Sequence, residues 1–175
     1  MSIESIEILE ATEKDLLDII KLKQDIWNQM EHKEWYVIDG TNEAFLKNLL
    51  QNDGLILKAI EKEKNNIIGF LIVEKKISPN SQLAQIIFPL KIEECIEISN
   101  VGVHPNYRGR SLQRKMIQKA ERLMLKKDNQ IKFSLATVHP DNQASLHNLI
   151  TLDYQVKMEA ELYHGKKRYI VVKKL

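Results

Sequence analysis

The chain has 175 residues, 43% hydrophobic and 29% charged, with a formal net charge of +2. That length suits one domain, read as 1–175, with a core large enough to need no staples. So small a net charge excludes a global pull toward nucleic acid or membrane, and the single cysteine, Cys95, excludes an internal disulfide framework or thiolate metal site.

Met1-Ser2-Ile3-Glu4-Ser5 lacks a basic stretch followed by an apolar run, so no secretory leader is expected. No apolar run approaches the ~20 residues that span a bilayer. The expectation is a cytoplasmic protein without a membrane partner.

Residues 6–9 alternate weakly and predict a first strand, after which Thr12 is placed to cap a helix. Leu16, Ile19, Ile20, Lys23 and Trp27 fall at helical spacing, which predicts a helix over 13–30. Phe45, Leu46, Leu49 and Leu50 predict a second over 42–51. Asn52-Asp53-Gly54 and Ser78-Pro79-Asn80-Ser81 read as turns. Segments 55–60 and 67–75 predict a hairpin across a polar turn. Segment 78–94 fits a loop with a short helix. A clear strand runs over 95–103 to His104-Pro105, then a helix over 112–127, a strand over 131–138 and a short helix over 142–151. A last hairpin, 154–163 and 167–172, turns at His164-Gly165-Lys166. This order indicates a mixed α/β sheet with helices on its faces.

The chemistry concentrates in Asn100-Val101-Gly102-Val103-His104-Pro105-Asn106-Tyr107-Arg108-Gly109-Arg110-Ser111-Leu112-Gln113-Arg114. An apolar strand stops at a proline, a turn with glycine and arginines follows, and a long helix begins. The first turn of a helix has unpaired N–H groups and a partial positive charge, which suits an anion. Gly109 permits close backbone approach, and Arg108, Arg110 and Arg114 add charge. An ordinary strand-to-helix connection with solvated arginines has the same local features.

This segment resembles motif A of the GNAT N-acetyltransferases, and Ala136-Thr137-Val138-His139-Pro140-Asp141-Asn142-Gln143-Ala144-Ser145 resembles motif B. Leu152-Asp153-Tyr154 stands where the family has Leu-Gly-Phe. The element order fits nearly the whole chain. The resemblance implies a GNAT fold: a twisted, mostly antiparallel sheet of about seven strands flanked by about four helices, splayed at an acetyl-CoA cleft. It implies that Val101, Gly102 and Val103 meet the pantetheine arm. It further implies that Arg108, Gly109, Arg110, Ser111, Leu112, Gln113 and Arg114 hold the pyrophosphate, and that Asn142 and Ser145 approach the cofactor. The departures are Ser111, where the family has glycine, and Gln113, where it has glycine or alanine.

The resemblance implies acetyl transfer to a primary amine by direct attack, the acceptor being a small molecule or a peptide. Glu97 stands where the histone-acetyltransferase branch carries its base, and Asn100 is a substrate-orienting candidate. Glu97 facing water, and Asn100 in a sheet-edge hydrogen bond, are the structural alternatives. A backbone N–H near Val101 is implied as the oxyanion donor. The tyrosine that many members use as acid is replaced by Leu149, leaving Tyr154 and Tyr163 as candidates on other elements. Trp27, Trp35 and Tyr36 lie where the family builds its acceptor wall, though core packing is the simpler reading. His139 and His104 read as loop residues and Cys95 as a buried one. The five histidines show no zinc spacing, so no metal is expected.

Two rival readings remain. One is a non-catalytic acyl-CoA-binding module, suggested by Leu149 and the altered glycines. The other is a nucleic-acid-binding face along the basic helix, weakened by the near-neutral net charge and by Glu121 and Asp128, which interrupt the basic run. Homodimers are common in the family, and nothing in these residues reads for or against one.

Overall fold

The computed structural model describes residues 5–37, 42–52, 54–75, 82–87 and 89–175. Seven strands form one sheet: β1 (Ile6–Glu10), β2 (Leu55–Glu61), β3 (Asn66–Glu74), β4 (Cys95–Val103), β5 (Phe133–Val138), β6 (Gln155–Leu162) and β7 (Lys166–Lys174). They lie in the order β1-β2-β3-β4-β5-β7-β6. All neighbours are antiparallel except β4 and β5, which run parallel. The helices are α1 (Leu16–Asn28), α2 (Glu43–Gln51), α3 (Gln82–Ile86), α4 (Leu112–Lys127) and α5 (Gln143–Ile150).

Alternation along the strands builds two faces. On one, Leu16, Ile19 and Ile26 of α1 and Leu46 of α2 bury against Ile56, Phe70 and Ile72. Farther along this face, Leu83 of α3 covers Cys95, Leu135, Ile170 and Val172. On the other face, Met116, Ile117, Ala120 and Met124 of α4, with Leu149 of α5, cover Leu57, Leu71, Ile96 and Ile98. Each large apolar side chain so buried contributes about 1.5–3 kcal/mol of transfer free energy. One buried polar cluster is fully paired. The Tyr154 hydroxyl donates to Glu121 Oε1 at 2.8 Å and meets Ser134 Oγ at 2.5 Å, while Lys173 Nζ donates to Glu121 Oε2 at 2.6 Å. A buried carboxylate requires such partners.

Two expectations are corrected. The helix expected from residue 13 starts at Leu16, because the Asp15 carboxylate accepts the Thr12 N–H at 2.8 Å and residues 13–15 form a 3-10 turn. The helices number five against about four expected, the fifth being α3, the short helix expected within 78–94. Of the expected turns, Asp53 and residues 78–81 lie outside the described residues.

The feature that makes the site is a split in the sheet. Pairing of β4 with β5 ends at Ile98 opposite Ala136. The register with β3 shifts at the same level, from Val73–Ile98 to Ile72–Asn100, so Ser99 is a bulge. From Ser99 onward β4 keeps β3 as a neighbour and diverges from β5.

Candidate acyl-transfer site

Two cavities meet at this split. One of about 860 Å3 opens at the start of α4. The other, about 750 Å3, lies over Glu97. Trp35, Tyr36, Val101, Gln113, Asn142 and Ser145 line both.

The first cavity ends at an uncapped helix. Ser111 is the N-cap of α4 in the left-handed region, at φ 58°, and makes no capping bond through its side chain. Its Oγ instead accepts from Arg114 Nη2. The first turn of α4 holds no acidic residue, so the helix carries Arg114 and Lys115 at its positive end. That arrangement disfavours the isolated helix and suits an external anion. Gly109 precedes it at φ +75°, a conformation that glycine adopts without strain.

The remaining residues read as cofactor contacts divide. Arg108, Gly109, Ser111, Leu112, Gln113 and Arg114 line the first cavity, although the Leu112 side chain is in the core. Arg108 Nε donates to the Val103 carbonyl at 3.3 Å. Arg110 is the exception. Its guanidinium carbon lies 5.3 Å from the Tyr107 ring centre, away from the cavity wall. Its charge also acts on Glu61, which is 1% exposed and pairs with Lys64 at 3.2 Å. The Tyr107 hydroxyl and then Lys64 and Arg110 hold that carboxyl below its usual range. Val101, Gly102 and Val103 line the same cavity. Gly102 also answers to packing, since a Cβ there would stand 2.6 Å from the Phe70 ring.

Gln113 fills the position where the family has a small residue, and it bridges two helices. Its Nε2 donates to Ser145 Oγ at 3.0 Å and its Oε1 accepts from Asn148 Nδ2 at 2.9 Å. Asn142 caps α5 by accepting the Ser145 N–H at 3.1 Å. Asn142 and Ser145 thus line the cavity and also fix the mouth of the split.

Glu97 lies in the second cavity, directly opposite Glu74 across β3 and β4. Burial, and then the Glu74 carboxylate, push the Glu97 carboxyl up to about 8. Burial raises Glu74 also, against a hydrogen bond from Ser99. Asn100 is committed elsewhere: its Oδ1 accepts from the Tyr36 hydroxyl and its Nδ2 reaches the Val37 carbonyl at 3.5 Å.

Those bonds hold a strap, residues 32–37, across the cleft. Trp35 stacks on His32 at 4.4 Å and faces His139 at 6.2 Å. Arg168 Nη2 donates to the Glu34 carbonyl at 3.0 Å. Trp35 and Tyr36 therefore join the site, whereas Trp27 lies outside both cavities under Lys33, 4.2 Å from its ring.

Of the two spare tyrosines, Tyr154 belongs to the buried Glu121 cluster and Tyr163 to the cavity. Tyr163, His164 and Gly165 are successive residues of positive φ, at 50°, 65° and 85°. Such backbone costs on the order of 1 kcal/mol or more per non-glycine residue. It brings the Tyr163 hydroxyl to 3.2 Å from Thr137 Oγ1. Burial, and then Glu97, raise that hydroxyl's pKa. Leu149 is 3% exposed, belongs to the core, and lines the second cavity with an apolar side chain.

His139, His104 and Cys95 lie outside both cavities. His139 Nδ1 accepts the Asp141 N–H at 3.2 Å and His104 Nδ1 the Asn106 N–H at 3.3 Å, so both are loop residues. Cys95 is buried, and burial raises its thiol to about 11. Among the described residues, no cluster of His, Cys, Asp or Glu could hold a metal ion. No helix among them is long and apolar enough to cross a membrane.

Sequence reasoning missed Glu74 and Arg168. Strand alternation held the signal for Arg168, which shares a face with Ile170 and Val172.

A strand-bulge-strand split, an uncapped helix end and a buried carboxylate thus meet in one cleft. The acetyltransferase (GNAT) family model matches residues 16–149, and the chain belongs to that family. No curated protein matches the sequence. Among solved structures, the ribosomal-protein-S5-alanine acetyltransferase of Vibrio fischeri is 17% identical, with 99% of this chain and 95% of that one covered at a TM-score of 0.73. The phosphinothricin acetyltransferase of Sinorhizobium meliloti, solved with acetyl-CoA, is 13% identical over 98% and 89%, with a TM-score of 0.72. The PaiA N-acetyltransferase of Thermoplasma acidophilum, solved with coenzyme A, is 20% identical over the whole of both chains, with a TM-score of 0.70. At these identities the likeness is one of fold.

Proposed function

We propose that the chain, acting as one domain, transfers an acetyl group from acetyl-CoA to a primary amine by direct attack in a ternary complex. The observation that carries this reading is the junction of the two cavities. An anion-binding helix end opens on one side of the split and Glu97 on the other. The S. meliloti and T. acidophilum structures, which hold acetyl-CoA and coenzyme A, support the choice of cofactor.

The residues present fit that cofactor. The free N–H groups at Leu112, Gln113 and Arg114, with Gly109 and the Arg108 and Arg114 side chains, hold its pyrophosphate. Val101 to Val103 present backbone to its arm along the unpaired edge of β4. Acetyl-CoA supplies an activated thioester carbonyl.

Glu97 takes the proton of the amine, whose nitrogen forms the new bond to the acetyl carbon as the carbon–sulfur bond breaks. A carboxyl that titrates at about 8 is a base matched to that task. The Val101 N–H stabilises the developing oxyanion. Tyr163 returns a proton to the leaving sulfur, the role for which Leu149 is unsuited. Asn100 acts through Tyr36 by positioning the strap.

The test is thiol release from acetyl-CoA against a panel of primary amines. Release that depends on an amine, and that falls roughly 10²–10⁴-fold in Glu97→Gln, supports the reading. The buried Leu149 favours one rival, a binding module without turnover. That rival predicts acetyl-CoA binding with no release on any amine.

A further inference from the structure

Arg168 is 2% exposed, and among the described residues its guanidinium reaches only neutral partners. Nη1 donates to the Lys167 carbonyl at 2.7 Å and Nη2 to the Glu34 carbonyl at 3.0 Å. The Tyr163 ring centre lies 5.8 Å from its Cζ. No carboxylate among the described residues is ion-paired with it, and burial alone lowers its pKa. A buried cation without a counter-charge is costly, which makes its retention informative. It lines the cavity that holds Glu97 and Glu74, which are themselves not ion-paired among the described residues.

The three groups share one face of the sheet. Glu97 neighbours Leu135, which neighbours Val172, and Arg168 alternates with Ile170 and Val172. Arg168 lies four residues from Val172 along β7 and two strands from β4, a backbone separation of roughly 16 Å. Two long side chains reduce that to the span of a small molecule. The cavity thus presents carboxylates at one end and, at the other, a guanidinium with no counter-charge among the described residues.

We infer that the acceptor is a small amino-carboxylate, with its amine between Glu97 and Glu74 and its carboxylate on the free N–H groups of Arg168. Arg168 has five N–H donors and uses two on carbonyls, so donors remain for a carboxylate. A diamine would satisfy the two glutamates and leave Arg168 without a counter-ion. This inference rests on the acyl-transfer reading above and names the substrate class of that site.

The test compares kcat/KM for amino acids with that for the amine each becomes on decarboxylation, such as lysine with cadaverine and ornithine with putrescine. Thiol release from acetyl-CoA is the readout for wild type, Arg168→Met and Arg168→Lys. The expected result is a preference for the carboxylate-bearing partner of at least about tenfold in wild type. Arg168→Met brings the ratio toward one, mainly through KM, and Arg168→Lys keeps part of it. The ratio compares two substrates on one protein, so a general loss from a loosened strap cancels. A wild type that prefers the decarboxylated amine, or an Arg168→Met variant with an unchanged ratio, overturns the inference. If Arg168→Met does not fold, the wild-type ratio still decides. Transfer without a carboxylate preference sinks this inference alone. Transfer to no amine, with acetyl-CoA still bound, sinks the transfer reading and this inference with it.

Discussion

The Tyr36 hydroxyl donates to Asn100 Oδ1, joining the strap to β4 across 64 residues of sequence. The same amide reaches the Val37 carbonyl, so one side chain on the split strand fixes the wall of the acceptor cavity. Burial raises the Tyr36 pKa, as expected for a phenol whose hydroxyl finds its partner inside the protein.

Asn100→Ala leaves that phenol buried without an acceptor. The expected cost is about 1–3 kcal/mol of stability, read by urea denaturation. The acceptor KM rises, while acetyl-CoA affinity, set at the other end of the split, changes little. An unchanged midpoint would remove Asn100 from this positioning role.

Glu97 sets opposite pH trends for activity and stability. Its carboxyl titrates at about 8 against an ordinary 4.5, so the base form appears as pH rises through 8. The rate with a fixed acceptor should climb from pH 6 to 9 with a midpoint near 8. Between 4.5 and 8 the unfolded chain ionises this group and the folded one does not, so its contribution to stability falls across that window. Glu97→Gln should flatten the rate profile and raise Tm at pH 8 relative to wild type, with little change at pH 4. Glu74→Gln removes the like charge and should move the rate midpoint to lower pH. A profile that ignores both substitutions would remove Glu97 as the base.

The two tyrosines should separate cleanly. Tyr154→Phe takes a donor from the buried Glu121 carboxylate and should cost about 1–3 kcal/mol with kcat nearly intact. Tyr163→Phe keeps the ring beside Arg168 and should lower kcat by roughly tenfold or more at nearly constant Tm. The reverse pattern would place the acid on Tyr154.

How much of this was legible in the sequence depended on the range of the forces involved. The strand of β4 and both ends of α4 follow from local signals: His104-Pro105 stops the strand, and Gly109 to Ser111 opens the helix. The proposed anion site is read from the same residues. Arg110 looked equivalent to its neighbours, because sequence does not show that it lies over the Tyr107 ring, near the buried charge of Glu61 on another strand. A short helix was expected within 78–94 but not its bounds, since α3 has only five residues and packs with Leu135, Leu162 and Ile170, which no local pattern connects to it. The pairing of Glu74 with Glu97 depends on strand register past a bulge, and the strap depends on side chains over a hundred residues away, such as Arg168 on Glu34.

Gly109 offers a direct handle on the anion site. A Cβ there meets nothing within 4 Å, so a substitution changes the cavity and the turn without a clash in the core. Gly109→Trp should keep the circular dichroism spectrum and lose acetyl-CoA affinity by at least about a hundredfold, through positive-φ strain and a blocked phosphate approach. Unchanged affinity would mean that the cofactor does not approach this turn.

The most direct measurement is a calorimetric titration of acetyl-CoA into the wild-type protein, with free adenosine as a control. The account predicts saturable one-to-one binding at micromolar or tighter affinity, with adenosine far weaker because it lacks the pyrophosphate that the start of α4 holds. No binding at millimolar acetyl-CoA would contradict it. The uncapped helix and the split beside it would then serve something other than acetyl transfer.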